Sequence, residues 1–111
     1  MLRVTRQDTA ESIELTLEGR LVGAWVAEAD GAWQGVLEAS LPVPIIVNLH
    51  DVSGVDSSGR DLLLRMHQHG VVFQVRGCVM RELLREIERE SEEARVRRAE
   101  RAEGLTEGRR A

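Results

Sequence analysis

A chain of 111 residues with a formal net charge of −4 and an apolar share of 42% has room for one domain and a short appendage, and its acidic balance gives no electrostatic reason to expect a nucleic acid partner. A single cysteine, Cys78, excludes an internal disulfide and a cysteine metal cluster. No uncharged apolar run approaches the roughly 20 residues that span a bilayer, and Met1 to Arg6 lacks the apolar core of a signal peptide, so the expectation is a soluble, cytoplasmic protein without membrane insertion.

Aromatic residues make up only 3% of the chain (Trp25, Trp33 and Phe73), so burial must come from aliphatic side chains, as in a sheet covered by helices. Leu2 and Val4, then Ile13, Leu15 and Leu17, alternate with the period of half-buried strands. Gln7-Asp8-Thr9-Ala10 reads as the turn between residues 2–6 and 11–18, which pair as a hairpin. Gly19 and Gly23 bracket a short connection. Val22, Trp25, Ala29, Trp33 and Val36 recur at spacings of three and four. They predict a helix over 23–38 with both tryptophans in its buried stripe, in preference to a stacking platform for a ligand.

Pro42-Val43-Pro44 ends the next connection. Ile45-Ile46-Val47-Asn48-Leu49 shows no clear alternation and predicts a strand covered on both faces at the centre of the sheet. A loop from His50 to Asp56 leads into a second helix over 58–69, with Leu62, Leu63 and Met66 inward and Gly70 as C-cap. Val71 to Val75 is another buried-type strand, arriving parallel to the previous one through a helical crossover. A third helix, from Cys78 to about Glu88, carries Met80, Leu83, Leu84 and Ile87 on one side.

Beyond Glu88 the heptad runs through Ser91, Ala94, Arg98 and Arg101, which argues against a coiled coil. Glu86/Arg89, Glu92/Arg95 and Glu93/Arg97 support a solvated helix at roughly a few tenths of a kcal/mol per pair, and Gly104 and Gly108 predict a disordered end. The expected organisation is a small α/β domain over 1–88, a mixed sheet of about four strands with helices packed on it. A charged extension over 89–111 follows.

Gly19-Arg20-Leu21, the central strand, and Val52-Ser53-Gly54-Val55-Asp56-Ser57-Ser58-Gly59 followed by Leu62-Leu63-Leu64 resemble the STAS domain family, which includes the bacterial anti-sigma-factor antagonists. The likeness spans about residues 2–88, and Asp-Ser-Ser-Gly at a strand-loop-helix junction is its most specific part. It implies a protein-binding module without catalysis of its own. In that family a serine-protein kinase, which also serves as the anti-sigma factor, phosphorylates the Ser or Thr just after the Asp. Here that residue is Ser57, with Ser58 as second choice. The partner surface implied is Asp51, Ser53, Asp56, Ser57, Ser58, Gly59 and Arg60. The kinase brings ATP, magnesium and the catalytic base, so this chain needs no cofactor.

General physics points to the same segment. Partners of open α/β sheets gather at the carboxyl ends of strands. Ser58 and Asp61 form a weak capping box, and Gly59 allows close approach of another backbone. A phosphate on Ser57 adds roughly −1.5 to −2 charges at a helix N-terminus, which tolerates anions. A docked partner must instead bury that charge beside Asp56, and a loss of ~3 kcal/mol weakens binding about a hundredfold. The plainer alternative is that Ser57 and Ser58 only cap a helix.

Three departures from the family are visible. Val22 stands where an Asp often follows Gly-x-Leu. Arg60 replaces a Leu, where it can pair with a phosphate on Ser57 or with Asp56. The family's last strand and helix are missing, so a bare sheet edge is available to a partner or a second copy in a homodimer.

Other chemistry is poorly supported. His67 and His69 face different ways on a helix and do not form a metal pair. His50, Asp51, Asp56 and Ser57 lack the nucleophile elbow of a hydrolytic triad, and without a lysine there is no P-loop. Cys78 reads as a buried or inert thiol. The leading reading is therefore a phosphorylation-switched protein-binding module. Two rivals remain: a STAS scaffold subunit of a signalling or transporter complex, and a sensor of an anion or nucleotide.

Overall fold

Thr9 decides where the first hairpin turns. In the computed structural model, which describes residues 1–102 in full and the helical backbone as far as Arg110, β1 (Leu2–Asp8) and β2 (Ile13–Leu21) pair antiparallel from Leu2↔Gly19 to Asp8↔Ile13. The Thr9 hydroxyl accepts from the backbone N–H of Glu11 at 3.2 Å and of Ser12 at 3.0 Å, and the Thr9 N–H donates to the Ser12 carbonyl at 2.9 Å. The side chain thereby mimics a backbone turn. The reversal falls at 9–12, and Gln7 and Asp8 stay in the strand.

Helix α1 (Ala24–Ala39) buries Val26, Ala29, Trp33 and Val36. Ala29, Trp33 and Val36 are buried as the spacing predicts, and the stripe departs from expectation only in the first turn. Trp33 is 2% exposed and belongs to the core, whereas Trp25 is 37% exposed and Val22 only half-buried. Val26 holds the inward position of the first turn, and the expected burial of both tryptophans is corrected to Trp33 alone.

Strand β3 (Ile45–Val55) is longer than expected and runs parallel to β2 from Ile13↔Ile45 to Leu21↔Val55. Between Thr16↔Asn48 and Glu18↔Asp51, and again between Gly19↔Val52 and Arg20↔Gly54, β3 carries one extra residue. Each extra residue is a β-bulge, which shifts the inward side chain by one position. Val47, Leu49 and Val52 are buried across the first bulge. The stretch read as a loop from His50 is therefore strand as far as Val55. Nor is β3 covered on both faces, because Asn48 and His50 are only half-buried.

Helix α2 (Ser57–Gln68) crosses over to β4 (Val72–Gln74), parallel to β3, and α3 (Cys78–Arg110) follows. The sheet order is β1-β2-β3-β4. Two crossovers stepping the same way put α1 and α2 on one face, where Arg65 of α2 meets Asp30 of α1 at 3.4 Å. That face holds the core: Leu15, Leu17, Leu21, Val47 and Leu49 from the sheet, Trp33 from α1, Leu62, Leu63 and Met66 from α2, and Ile87 from α3. The opposite face presents Thr5, Thr16, Asn48 and Gln74 side by side.

The molecule is thus an α/β domain with a four-stranded mixed sheet and three helices. Strand β4 is a three-residue edge with Val72 54% exposed, so one edge is bare as expected. Helix α3 packs on α2 through its first turns, and Ser91 is its last buried residue among those described. The disordered end expected around Gly104 and Gly108 lies outside the fully described residues. Among the described residues no helix is long and apolar enough to cross a membrane.

Candidate functional site

Two chain segments meet at the carboxyl end of the sheet. Strand β2 ends at Leu21, and β3 ends opposite it at Val55. The Asp56 N–H donates to the Leu21 carbonyl at 3.3 Å, extending the ladder by one more residue. Helix α2 then begins at Ser57 without an intervening loop. The junction is short because the two bulges of β3 use up the residues that a loop would otherwise occupy.

Asp56 is the N-cap. Its extended backbone (φ −92, ψ −174) lets the carboxylate fold back, so that Oδ1 accepts from the Gly59 N–H at 2.9 Å while Oδ2 accepts from the Gly23 N–H at 2.8 Å. One side chain thus serves two helices. It satisfies an orphan donor of α2 and holds the residue that precedes α1, where Gly23 has φ 55 and no cap of its own. The Gly23 N–H foremost, and then the Gly59 N–H, hold the Asp56 carboxyl below its ordinary value, against a smaller opposing effect of desolvation. The expected capping box of Ser58 and Asp61 is not the one used: the cap is Asp56, one position before the helix.

Gly59 is buried. A Cβ there would press into the Leu21 carbonyl oxygen and lie 3.0 Å from both Leu21 Cγ and Val55 Cγ1. The backbone it admits is that of its own β2. Among the sequence-predicted surface residues it alone lies fully inside the fold, because the first turn of α2 sits directly on the end of the sheet.

Ser57 and Ser58 are both exposed, on the first turn of α2. The first N–H groups of a helix face this end with the positive pole of its dipole, a setting that accommodates an anion. Asp51 and Ser53 are exposed too, on β3 before the junction, where the Ser53 hydroxyl donates weakly to the Gly19 carbonyl at 3.4 Å. Arg60 turns away from Asp56 and Ser57. Its guanidinium pairs with Glu90 and, at 3.8 Å, with Glu86, both on α3. The charge expected beside the serines is used to tie α2 to α3, a tie invisible to the sequence because Glu90 lies 30 residues on from Arg60.

The sequence reading missed two participants: Gly23, whose N–H meets Asp56 across 33 positions, and the Leu21 carbonyl, which accepts from the Asp56 N–H. Trp25, read from the sequence as core, is 37% exposed in the first turn of α1, just after the Gly23 that Asp56 holds. The glycine flanking Leu21-Val22 was the only available signal.

The remaining candidates stay apart from this site. His69 stacks edge-on against Trp33 with ring centroids 5.4 Å apart, and no cluster of His, Cys, Asp or Glu among the described residues is arranged to hold a metal. Cys78 is exposed at the start of α3, which removes the buried alternative of the expected buried or inert thiol. It borders an open groove of about 800 Å³ between Val52–Val55 and the first turns of α3, floored by Val52, Met80 and Leu83. No protein-family model matches the chain, and no curated protein matches it.

Proposed function

We propose that this chain is a protein-binding regulatory module of the STAS, anti-sigma-factor-antagonist kind, acting without catalysis of its own and switched by phosphorylation at Ser57. The reading rests on the motif Asp56-Ser57-Ser58-Gly59, and one observation carries it. Within that motif the structural duties fall on Asp56 and Gly59, while Ser57 and Ser58 stand exposed on the first turn of a helix.

A kinase reaching Ser57 meets a rigid strand end and helix start. A phosphate placed there adds charge near the positive end of α2 and displaces no buried group. A partner docked over the same turn must desolvate that charge next to the Asp56 carboxylate, which is unfavourable enough to release it. The partner that fits is a serine-protein kinase that doubles as the bound regulator, meeting Asp51, Ser53, Asp56, Ser57 and Ser58, with Trp25 as a neighbouring anchor. Aromatic residues commonly supply such anchors.

The test is intact mass and peptide mapping of the protein purified from its own cells under conditions that preserve phosphate. The expected result is a single phosphate on Ser57, absent in Ser57→Ala, whose fold is unchanged. A chain never modified at Ser57 or Ser58 in any growth condition would exclude the switch.

The groove of about 800 Å³ beside β3 has the size of a small-ligand site and favours a second reading, a small-molecule sensor. Saturable binding of an anion or nucleotide by the isolated chain, abolished by Leu83→Arg, would select it.

A further inference from the structure

Helix α3 continues well past the body of the domain. From Glu92 to Ala102 no side chain is buried, and only Ala94 is half-buried. Among the described residues the ion pair within this stretch is Arg97 with Glu93 at 4.0 Å, between exposed side chains. Exposed pairs of this kind add little, and isolated helical segments shorter than about 12–15 residues are marginal in water. The domain therefore offers this stretch no apolar cover, and its surface is open to a second helix.

The charge pattern says what kind of cover. Residues 86–93 contain five Glu and one Arg, a net charge of −4. Residues 94–101, the next eight, contain four Arg and one Glu, a net charge of +3. Two blocks of equal length, opposite sign and nearly equal charge meet at Ala94. A nucleic acid or a uniformly acidic partner would match one block and repel the other. A second copy running antiparallel matches both, because a two-fold axis near Ala94 lays the acidic block of each helix on the basic block of the other. Such self-complementarity is what an isologous interface requires. Arg60 holds Glu86 and Glu90 from the domain side, which leaves Glu88, Glu92 and Glu93 for the facing helix. Val96, 50% exposed, lies close to the axis and supplies apolar contact.

We infer that α3 is a self-association element: two copies of this chain pair through antiparallel α3 helices, acidic half against basic half, with the two domains at opposite ends. This pairing uses neither the bare β4 edge nor the Ser57 surface, and it stands independently of the proposed function.

Sedimentation equilibrium of the full chain tests it, at low ionic strength where charges act over ~30 Å and again in physiological salt where the range falls to ~8 Å. The wild type is expected to dimerise at low salt and to weaken as salt is added. The double variants Glu92→Arg/Glu93→Arg and Arg97→Glu/Arg98→Glu, each folded by circular dichroism, are expected to self-associate at least about tenfold more weakly. Mixing the two variants is expected to restore a dimer, now mixed, because each supplies the charge the other needs. A wild type that stays monomeric at low salt, variants that dimerise unchanged, or a mixture that remains monomeric would overturn the inference.

Discussion

The two helices on the sheet begin in opposite ways. Helix α1 follows a glycine with φ 55 and has no side-chain cap, whereas α2 follows Asp56, whose carboxylate caps it and reaches across to Gly23 as well. The start of α1 is thus borrowed from the start of α2, and the two ends form one unit. Their glycines differ in the same sense. A Cβ at Gly31 of α1 meets nothing within 4 Å, while one at Gly59 of α2 meets the end of β2. The lesson is a division of labour within four residues: Asp56 and Gly59 hold the junction, while Ser57 and Ser58 stand exposed on the surface.

The sharpest way to break this contrast is Gly59→Ala. Overpacking against Leu21 and Val55 should cost about 3 kcal/mol, readable as a shifted midpoint in urea, even though alanine is the better helix former. Retention of full stability would show that α2 does not rest on β2 as described.

Next comes Asp56→Asn, which leaves one acceptor oxygen where the carboxylate offers two, so that the Gly23 and Gly59 N–H groups compete for it. It should lower Tm on the order of 5 °C and speed amide exchange at Gly23 as well as Gly59. Exchange changed at Gly59 alone would break the link between the helices. The pH dependence follows from the direction of the shift. The folded Asp56 carboxyl titrates below its ordinary value. Its contribution is therefore complete above about pH 4 and is lost as pH falls through the depressed folded value. The stability gap between wild type and Asp56→Asn should narrow below about pH 4 and stay constant above it.

Gly31→Ala is the counterpart in α1. With open space around the added methyl it should stabilise by about 0.7 kcal/mol, opposite in sign to Gly59→Ala, and a chemical melt distinguishes the two. The smallest effect belongs to Arg60→Ala. Its pairs with Glu86 and Glu90 join partly exposed groups, so the cost should stay below about 1 kcal/mol.

The fold was legible where one period held. Ile13, Leu15 and Leu17 announced β2, and Leu62, Leu63 and Met66 announced α2. In β3 the bulges broke the alternation after Leu49, so strand residues 50–55 resembled a loop. In α1 the bulk of Trp25 suggested an inward position that Val26 holds instead. At the candidate site the Asp-Ser-Ser-Gly motif located the junction correctly. Its internal roles were hidden, because Asp56 meets Gly23, Gly59 meets Leu21, and Arg60 meets Glu86 and Glu90 across separations that no local pattern encodes.

The most direct test of this division installs phosphoserine at position 57 by genetic encoding and compares thermal unfolding with that of the unmodified chain. The account predicts coincident melts, within about 2 °C, since small changes at a surface helix start move stability by roughly 0.5 kcal/mol or less. A melt lowered as far as that of Asp56→Asn would contradict it, for position 57 would then be part of the framework and not its exchangeable surface.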